Sequence, residues 1–157
     1  MNAIKVTIQR AAPERLPEIR EVFLDSVLYD RYFAQEGRLD GILSAAVDKG
    51  DLWLALDSHN EVVGAMPGAL TGCFGAFPYR ALLGGKTRCR GRGGGRTLLK
   101  VYEGVARELG FRKTSLLVSH FNPRAKALYQ SMGYRKVGYV PDAILPGNHE
   151  NIMVKTL

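Results

Sequence analysis

Apolar and polar residues alternate from Ile4 to Gln9, as they do along a half-buried strand. Leu16, Ile19, Phe23 and Val27 then keep helical spacing, which predicts a helix from the segment bracketed by Pro13 and Pro17 as far as Tyr29. Asp30 to Gly37 breaks the pattern. Leu39, Ile42, Leu43, Ala46 and Val47 predict a second helix, ended by Gly50. Asp51 to Leu56 reads as a buried strand, Asp57-Ser58-His59-Asn60 as a turn, and Glu61 to Met66 as a returning strand. Pro67 and Gly68 interrupt it, and Ala69 to Gly84 carries one or two further strands. Leu98, Tyr102, Val105 and Leu109 mark the core stripe of a strong helix capped by Gly110. Lys113 to Val118 is a strand. Asn122-Pro123 opens the last helix with an N-cap and a proline at the first helical position. Its inner face is Ala125, Leu128, Tyr129 and Met132, and Gly133 stops it. Tyr134 to Val140 and Asn151 to Thr156 are the final strands, joined by a loop through His149. This order predicts an α/β chain built on a mixed sheet with helices on both faces.

A length of 157 residues suits one domain, residues 1–157, with a full hydrophobic core. No stretch is long and apolar enough to span a membrane. The N-terminus enters a strand pattern at once, so no signal peptide is expected and the expected location is cytoplasmic. Cys73 and Cys89, the only cysteines, lack the paired spacing of a zinc site, and no metal is expected. The formal net charge of +7 points to an anionic ligand.

Much of that charge surrounds Arg90-Gly91-Arg92-Gly93-Gly94-Gly95-Arg96, which lies between a strand-like run and a helix. Lys86 and Arg88 add to it. Glycines let a backbone approach a ligand closely, and the first N–H groups of a helix lack internal partners. Strand, glycine turn and helix start together predict a phosphate site. The P-loop pattern fails because Arg80 stands where its first glycine belongs, and the dinucleotide pattern GxGxxG fails at Arg96 and Leu98. A disordered, RNA-binding Arg/Gly segment is the other reading. Such segments sit in long low-complexity tracts, whereas this one is short and runs into a periodic helix.

Two motifs resemble the GCN5-related N-acetyltransferase (GNAT) family. Arg90, Gly93 and Gly95, followed by Thr97-Leu98-Leu99, are similar to its acyl-CoA loop, Arg/Gln-x-x-Gly-x-Gly/Ala. Asn122 to Tyr134 resembles its N-x-x-A-x-x-L-Y-x-x-x-G-F/Y segment over the whole length. The element order fits as well, so the resemblance covers nearly the entire chain. It implies the GNAT fold, a mixed sheet of about seven strands flanked by about four helices. Gly94 departs from the pattern, because many relatives carry an aliphatic residue there.

The resemblance implies acetyl-CoA as cofactor and transfer of an acetyl group to a primary amine of a small molecule or peptide. The backbone of Leu82 and Leu83 would pair with the pantetheine arm, and the segment Gly91, Arg92, Gly93, Gly94, Gly95 and Arg96 would hold the pyrophosphate. Arg88 or Lys86 would reach an outer phosphate, and Asn122 would lie beside the pantetheine. Tyr129 is implied as the general acid at the sulfur. The base is open, since no Asp or Glu occurs between Ala65 and Leu83. His120 is the first candidate, with Tyr79, a water relay and His149 behind it. Asp25, Tyr29 and Tyr32, with Tyr79, would suit a cationic acceptor. A homodimer is expected by resemblance. The alternatives are a CoA-binding sensor without catalysis and an RNA-binding protein using the basic loop.

Overall fold

The run Leu52-Trp53-Leu54-Ala55-Leu56 is buried at every position but Trp53 and forms a strand. In a computed structural model, which describes residues 5–24, 26, 28–80, 84–86 and 94–157, the elements follow in a fixed order. They are β1 (Thr7–Arg10), α1 (Leu16–Leu24), α2 (Arg38–Asp48), β2 (Leu52–Leu56), β3 (Val62–Cys73), β4 (Phe77–Arg80) and β5 (Gly84–Gly85). Then come α3 (Gly94–Glu108), β6 (Lys113–Ser119), α4 (Pro123–Ser131), β7 (Arg135–Val140) and β8 (Glu150–Thr156). The result is the expected mixed α/β architecture, with a two-residue strand, β5, added to the seven expected. The chain gathers into two compact units, residues 1–68 with 82–102 and residues 69–81 with 103–157. No helix among the described residues is long and apolar enough to cross a membrane.

In the first unit, β2 pairs antiparallel with β1 and with β3, and β5 pairs antiparallel with β3 at Gly64 and Ala65. Ile19, Val22 and Phe23 of α1 and Leu39, Leu43 and Ala46 of α2 are buried. Gly84 is required by close approach: a Cβ there would collide with the Phe23 ring. Two boundaries differ from expectation. The first helix ends at Leu24 rather than at Tyr29, because the Ser26 hydroxyl donates to the Phe23 carbonyl (2.6 Å) and accepts the Tyr29 N–H (3.1 Å). A side chain thereby satisfies backbone groups that the helix would have used. A π-helical turn, Tyr29–Phe33, follows and buries Tyr32 and Phe33. The second difference is that β3 runs straight through Pro67. That proline lies opposite Leu52, the first residue of β2, and the next N–H, of Gly68, donates to the Asp51 carbonyl at 2.9 Å. The missing donor therefore falls at the end of the ladder, where a strand tolerates it.

In the second unit, β4 runs parallel to β6, with Tyr79 opposite Ser115 and Arg80 opposite Leu116. β6 pairs antiparallel with β8 over seven rungs, Lys113↔Thr156 to Ser119↔Glu150, and β8 pairs antiparallel with β7. The order is β4-β6-β8-β7. The Ser115 hydroxyl donates to the Pro78 carbonyl at 3.0 Å and pins β4 to β6. β3 and β4 are joined by Phe74-Gly75, both at positive φ (53° and 73°), closed by the Ala76 N–H on the Cys73 carbonyl at 2.9 Å. α3 belongs to the first unit as far as Tyr102 and to the second from Glu103, and its buried line is Leu98, Leu99, Tyr102, Glu103 and Ala106. Leu109, expected in that stripe, is 57% exposed because the helix stops at Glu108 and Gly110 turns the chain at φ 85°.

Candidate functional site

α4 begins as its sequence requires. Asn122 precedes Pro123, and its side-chain oxygen accepts the Ala125 N–H at 3.2 Å, satisfying a donor that the first turn leaves open. Tyr129 points to the inner face, 4% exposed. The helix ends in hydrogen bonds from Met132 and Tyr134 N–H to the Tyr129 carbonyl, both 3.0 Å. Gly133, at φ 94°, supplies the left-handed residue this ending needs. Tyr134 is thereby folded back so that its ring meets that of Tyr129 edge-on, centroids 6.1 Å apart and planes at 63°.

Between β6 and α4 lies the second group. The β6–β8 ladder extends one residue beyond Ser119, with the His120 N–H on the His149 carbonyl at 2.9 Å. The His120 ring nitrogen Nδ1 lies 3.1 Å from the His149 N–H and 3.3 Å from the His149 carbonyl. One residue thus offers that nitrogen both a donor and an acceptor. The His149 N–H can only donate, so in that bond Nδ1 accepts and the neutral ring carries its proton on Nε2; Nε2 can act as a base only in the other tautomer. The two imidazoles are 5.1 Å apart, and His149 stacks on Tyr139 at 5.6 Å. The Asp142 N–H donates to His149 Nδ1 at 3.2 Å. One rung inward, the Ser119 hydroxyl donates to the buried Glu150 carboxylate at 2.6 Å.

Behind Tyr134 is a buried polar network. Its hydroxyl donates to Glu103 Oε1 at 3.0 Å and lies 2.9 Å from the Thr114 hydroxyl. Glu103 Oε2 accepts from Lys155 Nζ at 2.8 Å. Glu103, Thr114 and Tyr134 are each no more than 2% exposed.

In the first unit, Gly94, Gly95 and Arg96 open the fifteen-residue α3, with no acidic residue in its first turn. The unpartnered amide N–H groups of a helix start suit an anion such as phosphate. Leu82, Leu83, Arg88, Arg90, Gly91, Arg92 and Gly93, and Asp25, lie outside the described residues. Tyr29 is half-buried, whereas Tyr32 is a core residue, 4% exposed and edge-on to Phe33 at 6.3 Å. Tyr79 is half-buried on β4, and His120 is exposed. Sequence reasoning missed Glu103 and Glu150. For Glu103 a signal existed: Leu99, Glu103 and Ala106 fall at helical spacing on the buried line of α3.

A profile of the acetyltransferase (GNAT) family matches residues 16–134, which include the glycine loop and all of α4. The chain belongs to the GNAT family. Solved structures of GNAT proteins share its fold. A GCN5-related N-acetyltransferase from Kribbella flavida is 24% identical, with a TM-score of 0.77 over 97% of this chain and 98% of that one. A GNAT-family acetyltransferase from Bacillus cereus is 16% identical, with a TM-score of 0.78 over 97% of each chain. A GNAT-superfamily phosphinothricin acetyltransferase from Sinorhizobium meliloti, solved in complex with acetyl-CoA, is 22% identical, with a TM-score of 0.76 over 97% of this chain and 88% of that one. Among proteins of curated function none matches the sequence. Within this GNAT chain the family's Asn-to-Tyr segment is the cap, inner face and end of one helix, α4.

Proposed function

We propose that this chain is an acetyl-CoA-dependent N-acetyltransferase that moves an acetyl group to a primary amine by direct attack in a ternary complex. Membership of the GNAT family, through a match that includes both motifs, carries the reading. When bound, acetyl-CoA supplies the acetyl group as an activated thioester. The first turn of α3, with Arg96 and the loop before it, would hold the pyrophosphate, and Asn122 would lie beside the pantetheine. Tyr129 is the general acid that delivers a proton at the leaving sulfur. His120 is the base, its imidazole taking the proton of the attacking amine in the tautomer that leaves Nε2 unprotonated. The acceptor is a cationic primary amine, met by Tyr29 rather than by the buried Tyr32.

Calorimetric titration of acetyl-CoA and CoA, with desulfo-CoA as control, tests the cofactor. Micromolar binding weakened by Arg90→Ala supports it, and no binding removes it. Tyr129→Phe tests the acid. Turnover of an amine found by screening is expected to fall about 100-fold with little change in acetyl-CoA affinity. A CoA-binding sensor is the second reading, favoured by the lack of any Asp or Glu between Ala65 and Leu83. It predicts normal CoA binding with no activity for Tyr129→Phe to remove.

A further inference from the structure

We propose that Tyr134 is a positioning residue that fixes the ring of Tyr129 for proton delivery, and that the Thr114–Glu103–Lys155 network exists to hold Tyr134. The inference rests on the reading of Tyr129 as the general acid. Tyr134 reaches Tyr129 in two ways: its N–H donates to the Tyr129 carbonyl at 3.0 Å, and its ring edge packs on the Tyr129 ring at 6.1 Å. The backbone bond places the chain, and the ring contact limits rotation of the phenol. The Tyr134 ring is itself held at its far end, where its hydroxyl meets Glu103 at 3.0 Å and Thr114 at 2.9 Å. Glu103 is in turn anchored by Lys155 at 2.8 Å. α3 and β6 thus meet on the one hydroxyl that follows α4, and β8 holds the α3 carboxylate in place.

Stability alone does not account for this arrangement. A buried ion pair recovers little more than its desolvation cost, and apolar residues of similar volume pack as well. What a satisfied buried network supplies is one fixed orientation. An acid that must meet a sulfur gains from that fixity, because small misplacements of a reacting group are costly.

Two measurements on the full chain test the inference. The first needs no ligand. In protein labelled with 3-fluorotyrosine, the Tyr129 resonance, assigned by its loss in Tyr129→Phe, is expected as one sharp line. It should broaden or split in Tyr134→Phe, which keeps the ring and removes the hydroxyl. An unchanged line overturns the inference. The second is kinetic, with acetyl-CoA and the amine found by screening. Tyr134→Phe is expected to lower kcat about fivefold to tenfold with the KM for acetyl-CoA unchanged. Tyr129→Phe/Tyr134→Phe should be no slower than Tyr129→Phe, since a residue that acts through another loses its effect when that one is gone. Losses that multiply, or a Tyr134→Phe enzyme with full kcat, overturn it. Tyr129→Phe with full kcat removes the acid reading and the inference with it, a result the single Tyr134 variant cannot mimic. Should Tyr134→Phe fold poorly, Thr114→Val removes the other hydroxyl partner and carries the same expectations.

Discussion

At the scale of single residues, two positions hold conformations or charges that the fold opposes. Phe74 is fully exposed (102%) and sits at φ 53° in the tight turn after β3. It buries nothing there and carries the steric cost of a left-handed residue with a Cβ. Phe74→Asn, a residue that tolerates this region, is expected to stabilise the protein by about 1 kcal/mol in urea unfolding. A loss of stability would mean that the Phe74 ring is held by something. Asp51 is the second. Burial raises its carboxyl above the ordinary 3.8, against the pull of Lys49 and Arg10. The folded state therefore binds this proton more tightly than the unfolded state. Stability contributed here is present at low pH and falls as pH rises through the folded pKa. Asp51→Asn should thus be more stable than the parent at neutral pH, and the difference should shrink as pH falls towards 3.8. Melting temperatures of both proteins across that range decide the matter, and a difference that grows on acidification has the wrong sign. Burial also explains what was hard to read in the sequence at this scale. Glu103 is a charged residue placed in the core, and although its spacing marked the buried line, its partners Tyr134 and Lys155 come from distant segments that a local pattern does not name.

At the scale of elements, periodicity read most of the chain. α2, β2, β6 and α4 fall within a residue or two of their expected bounds, since each has a strong pattern and a chemical start or stop. Asn122-Pro123 and Gly133 delimit α4 by capping and by φ, which are local properties. The misses are those in which a tertiary partner decides. Ser26 ends α1 early through its side chain, and the end of β2 lets β3 pass through Pro67. β5 is the sharpest case, because two glycines have no strand propensity of their own. They pair with Gly64 and Ala65 where the Phe23 ring leaves no room for a Cβ. Gly84→Ala is accordingly expected to cost about 1–3 kcal/mol through overpacking. Adding Phe23→Leu should recover part of it, whereas equal costs in both backgrounds would show that the ring is not the obstacle.

At the scale of the whole molecule, strand order in the second unit was only half legible. The sequence specifies β6, β7 and β8 as strands, but not that β8 enters between the other two. That insertion has a consequence for biosynthesis. β8 is the last of the described strands to be made, and it supplies the ladder partner for all seven residues of β6 and for most of β7. Until it emerges from the ribosome, both strands wait with open edges, and α4 with its tyrosine pair is tethered to a half-built sheet. Folding of this unit therefore waits on β8 and is non-local, of the kind that closes slowly. Edges left open in that interval are exposed to pairing with other chains.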